Sequence, residues 1–324
     1  MFGSSFFLDR RIREPKDLEE LYGLPLLGVV PESAALSRSA KGKKNAGAPL
    51  PASEAEAFHL IRAHLRYFNV DKELRTLMVA SAAPGDGKTT VARHLAGAAA
   101  RMGSRVLLLE ADLRRPTIAQ QLDISSGPGV ADVLIGAVPL GEAIQSVDLG
   151  LPGADGSGAR SFDVLVAGAS LPPNPGELIE SHAMESLLQQ AKSAYDLVVV
   201  DTPPLTAVSD AFPLLGKVDG LGVAGRRVCR PGRLRTCVRM ASSEPLGRPR
   251  FVGAQRRVLG CLVWDSSSER SLATSRVVPW WVRYAFATLP RRPLVGLAGF
   301  PFLRPPLRDV SGTGLSCRAV WSGL

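Results

Sequence analysis

The chain has 324 residues, 45% of them hydrophobic, with 39 Lys and Arg against 30 Asp and Glu for a formal charge of +9. That apolar content supports a sizeable core and excludes a wholly disordered chain, and four cysteines are too few for a disulfide scaffold. Runs of about eighteen uncharged apolar residues are absent, so neither a membrane-spanning helix nor a secretory signal is expected in the sequence as it stands.

From the amino terminus, Arg11 to Tyr22 reads as a charged segment with a short amphipathic helix, and Gly23 to Pro31 (GLPLLGVVP) as an apolar extended piece. Glu32 to Ala52 has the small-residue composition of a flexible linker; its Lys41, Lys43 and Lys44 read as a solvated stretch, with contact to anionic lipid as the alternative. A strand is expected over 77–80, a helix over 88–101, a strand over 105–109, a helix around 116–122 and a short one near 129–135. A strand over 162–166, a helix over 176–192, a strand over 197–200, a switch-like loop at 202–210 and a weaker strand near 218–224 follow. Gly141 to Ser161, rich in Gly and Ser, reads as a loop with at most one helical turn. The apolar runs at 105–109 and 197–200 do not alternate, which is the pattern of central parallel strands covered on both faces, so the fold class is α/β.

Between the first strand and the first long helix stands A-x-x-x-x-G-K-T, with Ala82 at the position where the usual phosphate loop opens with glycine. Ala83, Pro84, Gly85, Asp86 and Gly87 make a turn whose backbone N–H groups can point inward at phosphates, and the helix beginning near Lys88 adds its positive end. The Lys88 amine can reach β- and γ-phosphates, the Thr89 hydroxyl can hold Mg2+, and Thr90 completes the set expected to bind ATP or GTP. Two strand ends supply acids: Glu110 and Asp112, followed by Arg114 and Arg115, and then Asp201. Carboxylates at the carboxyl ends of parallel strands converge on the crevice where such folds bind ligands, so the loop and these acids together predict a P-loop NTPase.

The last third differs from the rest. From Lys217 to Leu324 there are 18 Arg and one Lys against five acidic residues, and all four Cys and all four Trp lie there. The Arg residues have no helix or strand spacing, so no nucleic-acid partner is expected; the tract reads in part as a shifted reading frame or an atypical, poorly ordered extension. Cys229, Cys237, Cys261 and Cys317 lack metal-site spacing and read as free thiols, and the four histidines as structural or surface groups.

The motifs resemble those of the bacterial tyrosine kinases of capsule and exopolysaccharide synthesis, the cytoplasmic ATPase domains of polysaccharide co-polymerase systems. The resemblance runs from about Arg13 to Gly225. EPKDLEELYGLPLLGVVP is similar to the piece that follows the second transmembrane helix in fused members, and SEAEAFHLIRAHLRY to the helix before the first strand. SAAPGDGKTTVARHLA matches the Walker A loop, LLLEADLRRP the second acidic motif, VVVDTPP the Walker B strand, and VLVAGASLPPNPGELIES a stretch that separates the family from cell-division and plasmid-partition ATPases.

The resemblance implies a juxtamembrane-like segment at 1–30, a linker at 31–52, a kinase domain at 53–265 and a tail at 266–324. It also implies ATP and Mg2+ as cofactors, Lys88, Asp112, Asp201 and Arg114 in catalysis, and Thr89, Asp112, Asp201 and Glu110 around the metal. Asp112 would assist the attacking tyrosine hydroxyl. The implied partners are a membrane polysaccharide co-polymerase or the chain's own transmembrane part, protein tyrosine substrates, and further copies through a helix bearing Glu56, His59 and Arg62. The implied place is the cytoplasmic face of the bacterial plasma membrane. Against the family pattern, Glu110 stands for Asp, His59 for the central Arg of E-x-x-R-x-x-R, and the carboxyl-terminal tyrosine cluster is missing, with Tyr284 alone in the tail. After KVDG the likeness is poor and returns only at Arg256 to Asp265, where a last core strand is expected.

Overall fold

Strands β2 (Thr76–Ser81) and β3 (Val106–Glu110) are buried at every position, as their unbroken apolar runs require. Neighbouring side chains point to opposite faces: Leu77 and Val79 enter one apolar cluster, Met78 and Ala80 the other. Helices α1 (Ala52–Tyr67) and α2 (Lys88–Arg101) cover the first face through Phe58, Ile61, Val91 and Leu95. Short helices α3 (Ile118–Leu122), α4 (Val130–Leu134) and α5 (Leu140–Ala143) follow β3. On the second face α7 (His182–Ala194) inserts Met184, Leu187, Leu188 and Ala191.

The computed structural model describes residues 26–31, 33, 35–36, 50–67, 73–152, 159–170, 172–226 and 257–265. The helix expected within Arg11–Tyr22, most of the linker and the tail at 266–324 lie outside the described residues, as do Cys229, Cys237 and Cys317. The remaining strands are β1 (Leu26–Pro31), β4 (Gln145–Pro152), β5 (Ala159–Leu165), β6 (Leu197–Asp201), β7 (Gly220–Arg226) and β8 (Arg257–Asp265). They form one sheet in the order β1-β8-β7-β2-β6-β3-β5-β4, parallel throughout except for the β4–β5 pair. The α/β class and the parallel sheet are as expected, and the apolar piece before the linker is an edge strand of that sheet. Among the described residues no helix is long and apolar enough to cross a membrane.

Two expectations are corrected. The stretch read as loop, Gly141 to Ser161, contains the antiparallel strand β4 and the start of β5. Val147 and Leu149 are buried while Ser146, Asp148 and Gly150 face outward, a period of two too short to stand out among Gly and Ser. The helix expected over 176–192 is two helices, α6 (Pro175–Glu180) and α7. Ser181 breaks it by leaving helical geometry and accepting the Met184 N–H at 3.3 Å on its hydroxyl, a cap that competes with continuation. A single-turn helix, α8 (Phe212–Leu215), precedes β7.

Candidate active site

The loop after β2 turns on Gly85 and Gly87, at φ 83° and 91°, conformations that glycine adopts without a steric cost. Asp86 braces the turn from within, accepting the Ala83 N–H at 2.8 Å. Ala82 is fully buried and is absent from the positive-φ positions among the described residues, so the missing first glycine leaves no backbone strain. Its carbonyl accepts the Thr206 hydroxyl. Together with Thr202 on Val79 O and Leu205 N–H on Ser81 O, this contact fastens the loop after β6 along the end of β2.

Helix α2 presents Lys88 and Thr89 to two carboxylates. The Lys88 Nζ lies 2.9 Å from Asp112 Oδ2, 3.7 Å from Asp201 Oδ1 and 3.2 Å from the Thr89 hydroxyl. Thr89 donates to Asp201 Oδ2 at 2.7 Å. Burial works against the charge on Lys88, but Asp201 and Asp112 outweigh it and the amine is held above its usual pKa. Asp201 is itself raised, by burial first, against the pull of Lys88 and Thr89.

Lys88, Thr89 and Asp112 border a cavity of about 580 Å³, which the buried Asp201 does not line. Pro84, Gly85, Gly87, Lys88, Thr89 and Thr90 form one wall. Asp112, Arg114, Thr117 and Gln121 come from the segment after β3, and Pro204 and Val208 from the loop after β6. The volume is in the range of small-ligand and cofactor sites. Asp201 Oδ1 is buried with no hydrogen-bond donor, beside a hydroxyl, so hard oxygen ligands stand at the base of the phosphate loop. Among the described residues there is no cluster of three His, Cys, Asp or Glu able to hold a metal alone. Magnesium that arrives on nucleotide phosphates needs only one or two protein oxygens, and this arrangement fits it.

Glu110 sits elsewhere. Its Oε1 accepts the N–H groups of Thr117 at 2.6 Å and Ile118 at 2.8 Å, and its Oε2 that of Ala167 at 3.1 Å. It does not border the cavity; it ties the start of α3 and the segment after β5 to the end of β3. Burial pushes its pKa up to about 7 in spite of these three donors.

Arg114 borders the cavity but is paired, Nε to Asp210 Oδ2 at 2.5 Å and a terminal nitrogen to Oδ1 at 3.1 Å. Asp210 is a functional candidate that sequence reasoning missed; its only signal was a place at the end of the loop already read as switch-like. Gln121, with a buried Oε1 lacking a donor, was missed too because nothing in a short helical pattern marks which face meets a cavity. The His59 side chain, between exposed Glu56 and half-buried Arg62 on α1, lies outside this cavity.

A family model described as an AAA domain matches residues 74–213. The tyrosine-protein kinase YwqD of Bacillus subtilis is 37% identical over 166 residues, covering 51% of this chain and 65% of that protein. The tyrosine-protein kinase etk of Escherichia coli K12 is 34% identical over 221 residues, covering 63% of this chain and 29% of that protein. The solved kinase domain of Escherichia coli ETK superposes with a TM-score of 0.64 at 26% identity, covering 82% of this chain and all of that one. The chain therefore spans less than two thirds of the length of these curated relatives.

Proposed function

The domain belongs with the ATPase domains of the bacterial tyrosine kinases of capsular and exopolysaccharide synthesis, and from that premise we propose that this chain transfers the γ-phosphoryl group of ATP to tyrosine hydroxyls of proteins in that process. The observation that carries the reading is the meeting of Lys88, Thr89 and Asp112 at one end of a nucleotide-sized cavity, with the buried Asp201 in contact with Lys88 and Thr89. Phosphoryl transfer asks little covalent chemistry of a protein; it asks for positioning and for charge placed where charge develops.

The backbone of Pro84 to Gly87 receives the phosphates, and Lys88 exchanges its carboxylate contacts for phosphate oxygens. Thr89 and Asp201 would supply the protein oxygens for magnesium, which would neutralise phosphate charge when bound. Asp112, 2.9 Å from Lys88, remains at the cavity wall to accept the proton of an incoming hydroxyl. Arg114, held by Asp210, supplies a fixed cation at the rim. Glu110 acts as a brace for this wall rather than as a metal ligand.

The partner in this reading is a membrane polysaccharide co-polymerase, or a transmembrane part of the same protein, with the domain at the inner face of the plasma membrane. The side of α1 with exposed Glu56 and half-buried His59 and Arg62 is the surface through which copies would associate. The test is incubation of the purified chain with γ-labelled ATP and magnesium beside a Lys88→Met control, read for phosphotyrosine and for released phosphate. Tyrosine label that disappears in the control is the expected result. Nucleotide binding with only slow phosphate release overturns the kinase reading in favour of an ATP-binding regulatory partner.

A further inference from the structure

Three cations border the cavity, Lys88, Arg114 and Arg115, against one carboxylate, Asp112. Two of the cations are engaged by carboxylates of the protein. Lys88 meets Asp112 and Asp201, and Arg114 is held by both oxygens of Asp210. Arg115 differs. It is exposed, and among the described residues its guanidinium has neither a carboxylate within ion-pair distance nor a hydrogen-bond partner.

Local sequence and the site's own acid fix where Arg115 stands. Pro116 follows it and disfavours helical geometry at the preceding residue, so α3 begins only at Ile118 and Arg115 stays at the rim. Asp112 is shared between this segment and the phosphate loop: its Oδ1 accepts the Arg115 N–H at 3.1 Å, and its Oδ2 accepts from Lys88 Nζ at 2.9 Å. With an N–Cα bond of about 1.5 Å, the Arg115 Cα lies within about 5 Å of that carboxylate.

A tyrosine whose hydroxyl reaches Asp112 therefore brings its ring alongside Arg115, with Ala207 and Val208 as apolar surface across the cavity. Tyrosine and arginine side chains have similar lengths, so the acceptor's backbone passes the rim near the guanidinium. Successive residues of an extended peptide stand about 3.3–3.6 Å apart, which brings one or two residues on either side of the tyrosine within reach of that group. The phosphates have their own partners in the loop backbone and Lys88. What Arg115 offers is a planar fork of donors suited to a carboxylate.

We propose that Arg115 determines which tyrosines are used, selecting acceptors that carry Asp or Glu one or two positions away by pairing with that carboxylate; this rests on the kinase reading above. Charge patterns around an acceptor are a general means of discrimination between substrates. The pair forms at an exposed rim, so its effect is modest and is screened by salt. It is made when the peptide docks and does not strengthen as the phosphoryl group moves, so it acts on the KM of the peptide rather than on kcat.

The experiment uses three peptides that are identical except at the positions flanking a single tyrosine, which carry Glu, Gln or Lys. The unmodified chain, Arg115→Ala and Arg115→Glu each label them from γ-labelled ATP with magnesium. The quantity read is the ratio of kcat/KM between peptides within one chain, which cancels any difference in the folded, active fraction. For the unmodified chain the Glu peptide is expected to exceed the Gln peptide about two- to fivefold, through KM, with the advantage shrinking as salt is raised. Arg115→Ala is expected to bring that ratio to about one, and Arg115→Glu to favour the Lys peptide. Equal kcat/KM for the Glu and Gln peptides in the unmodified chain overturns the proposal and leaves the kinase reading standing. A preference that persists in Arg115→Ala, with both peptides slowed alike or not at all, does the same. No phosphotyrosine on any of the three peptides overturns both.

Discussion

Glu110 shows how a carboxylate two residues from one that lines the cavity can serve the scaffold. Its folded pKa of about 7 lies above the ordinary 4.5, so between those pH values the folded state binds more protons than the unfolded state. The stabilisation linked to this group is therefore fully present below about pH 4.5 and is lost as pH rises to about 7. With no magnesium or nucleotide added, the unfolding free energy of the natural chain minus that of Glu110→Gln is expected to fall by up to about 3 kcal/mol across that window and then level off. A flat difference in denaturant titrations sinks the assignment. Asp210 gives the second residue-scale prediction: Asp210→Ala releases Arg114 from the rim and is expected to raise the KM for ATP about tenfold or less, since Arg114 is half-exposed. Gly176→Ala, whose Cβ would come 3.0 Å from Asp210 Oδ1, should shift the KM the same way by less. An unchanged KM in steady-state kinetics of both variants removes the positioning role. Lys88, Thr89, Asp112 and Asp201 were legible as a group because phosphate chemistry fixes their types and spacing. The direction of the Glu110 carboxylate was not, since it depends on N–H groups at Thr117, Ile118 and Ala167 that only the folded backbone brings together.

Elements were legible where length and period agreed. Helix α2 and strands β2, β3 and β6 stand close to their expected bounds because each is an uninterrupted run ended by a glycine turn or a carboxylate. The β4 strand and the α6–α7 break were not, because both turn on local contests: two inward side chains among glycines, and one serine that caps instead of continuing. The seat of α1 on β1 is a third case, invisible in sequence, and it is testable. Gly28 faces Ile61 so closely that an added Cβ would stand 2.5 Å from Ile61 Cγ1, so the glycine is what lets helix and strand meet. Gly28→Ala is expected to destabilise the domain by about 1–3 kcal/mol through overpacking. In Gly28→Ala/Ile61→Ala the combined loss should be less than the sum of the two single losses, because truncating Ile61 removes the clash. Strict additivity in thermal or denaturant unfolding contradicts direct packing of this pair.

At the scale of the whole molecule, two segments far apart in sequence close one edge of the sheet. β1 pairs in parallel with β8, which pairs with β7, so a strand before the linker and a strand inside the Arg-rich region complete the ladder next to the phosphate-loop strand β2. Composition alone sets 217–324 apart as foreign, yet the backbone at 257–265 takes a ladder position, which only long-range pairing can reveal. The pairing predicts unequal effects of shortening the chain. Ending it after Arg226 removes β8, strips β1 of its partner, exposes Leu27 and Val30 on the face packed by α1, and leaves β7 as an open edge. Ending it after Asp265 keeps every strand of the described residues. The shorter chain is expected to lose roughly 10 °C or more in Tm, at about 2–4 °C per kcal/mol for a domain of this size, or to aggregate through the exposed edge. The longer one, which keeps the β7–β8 ladder, is expected to unfold at a higher temperature than the shorter one. Equal Tm values for the two truncations, measured by scanning calorimetry at matched concentration, mean that β8 adds no stability and that the sheet is held from β7 to β4 alone.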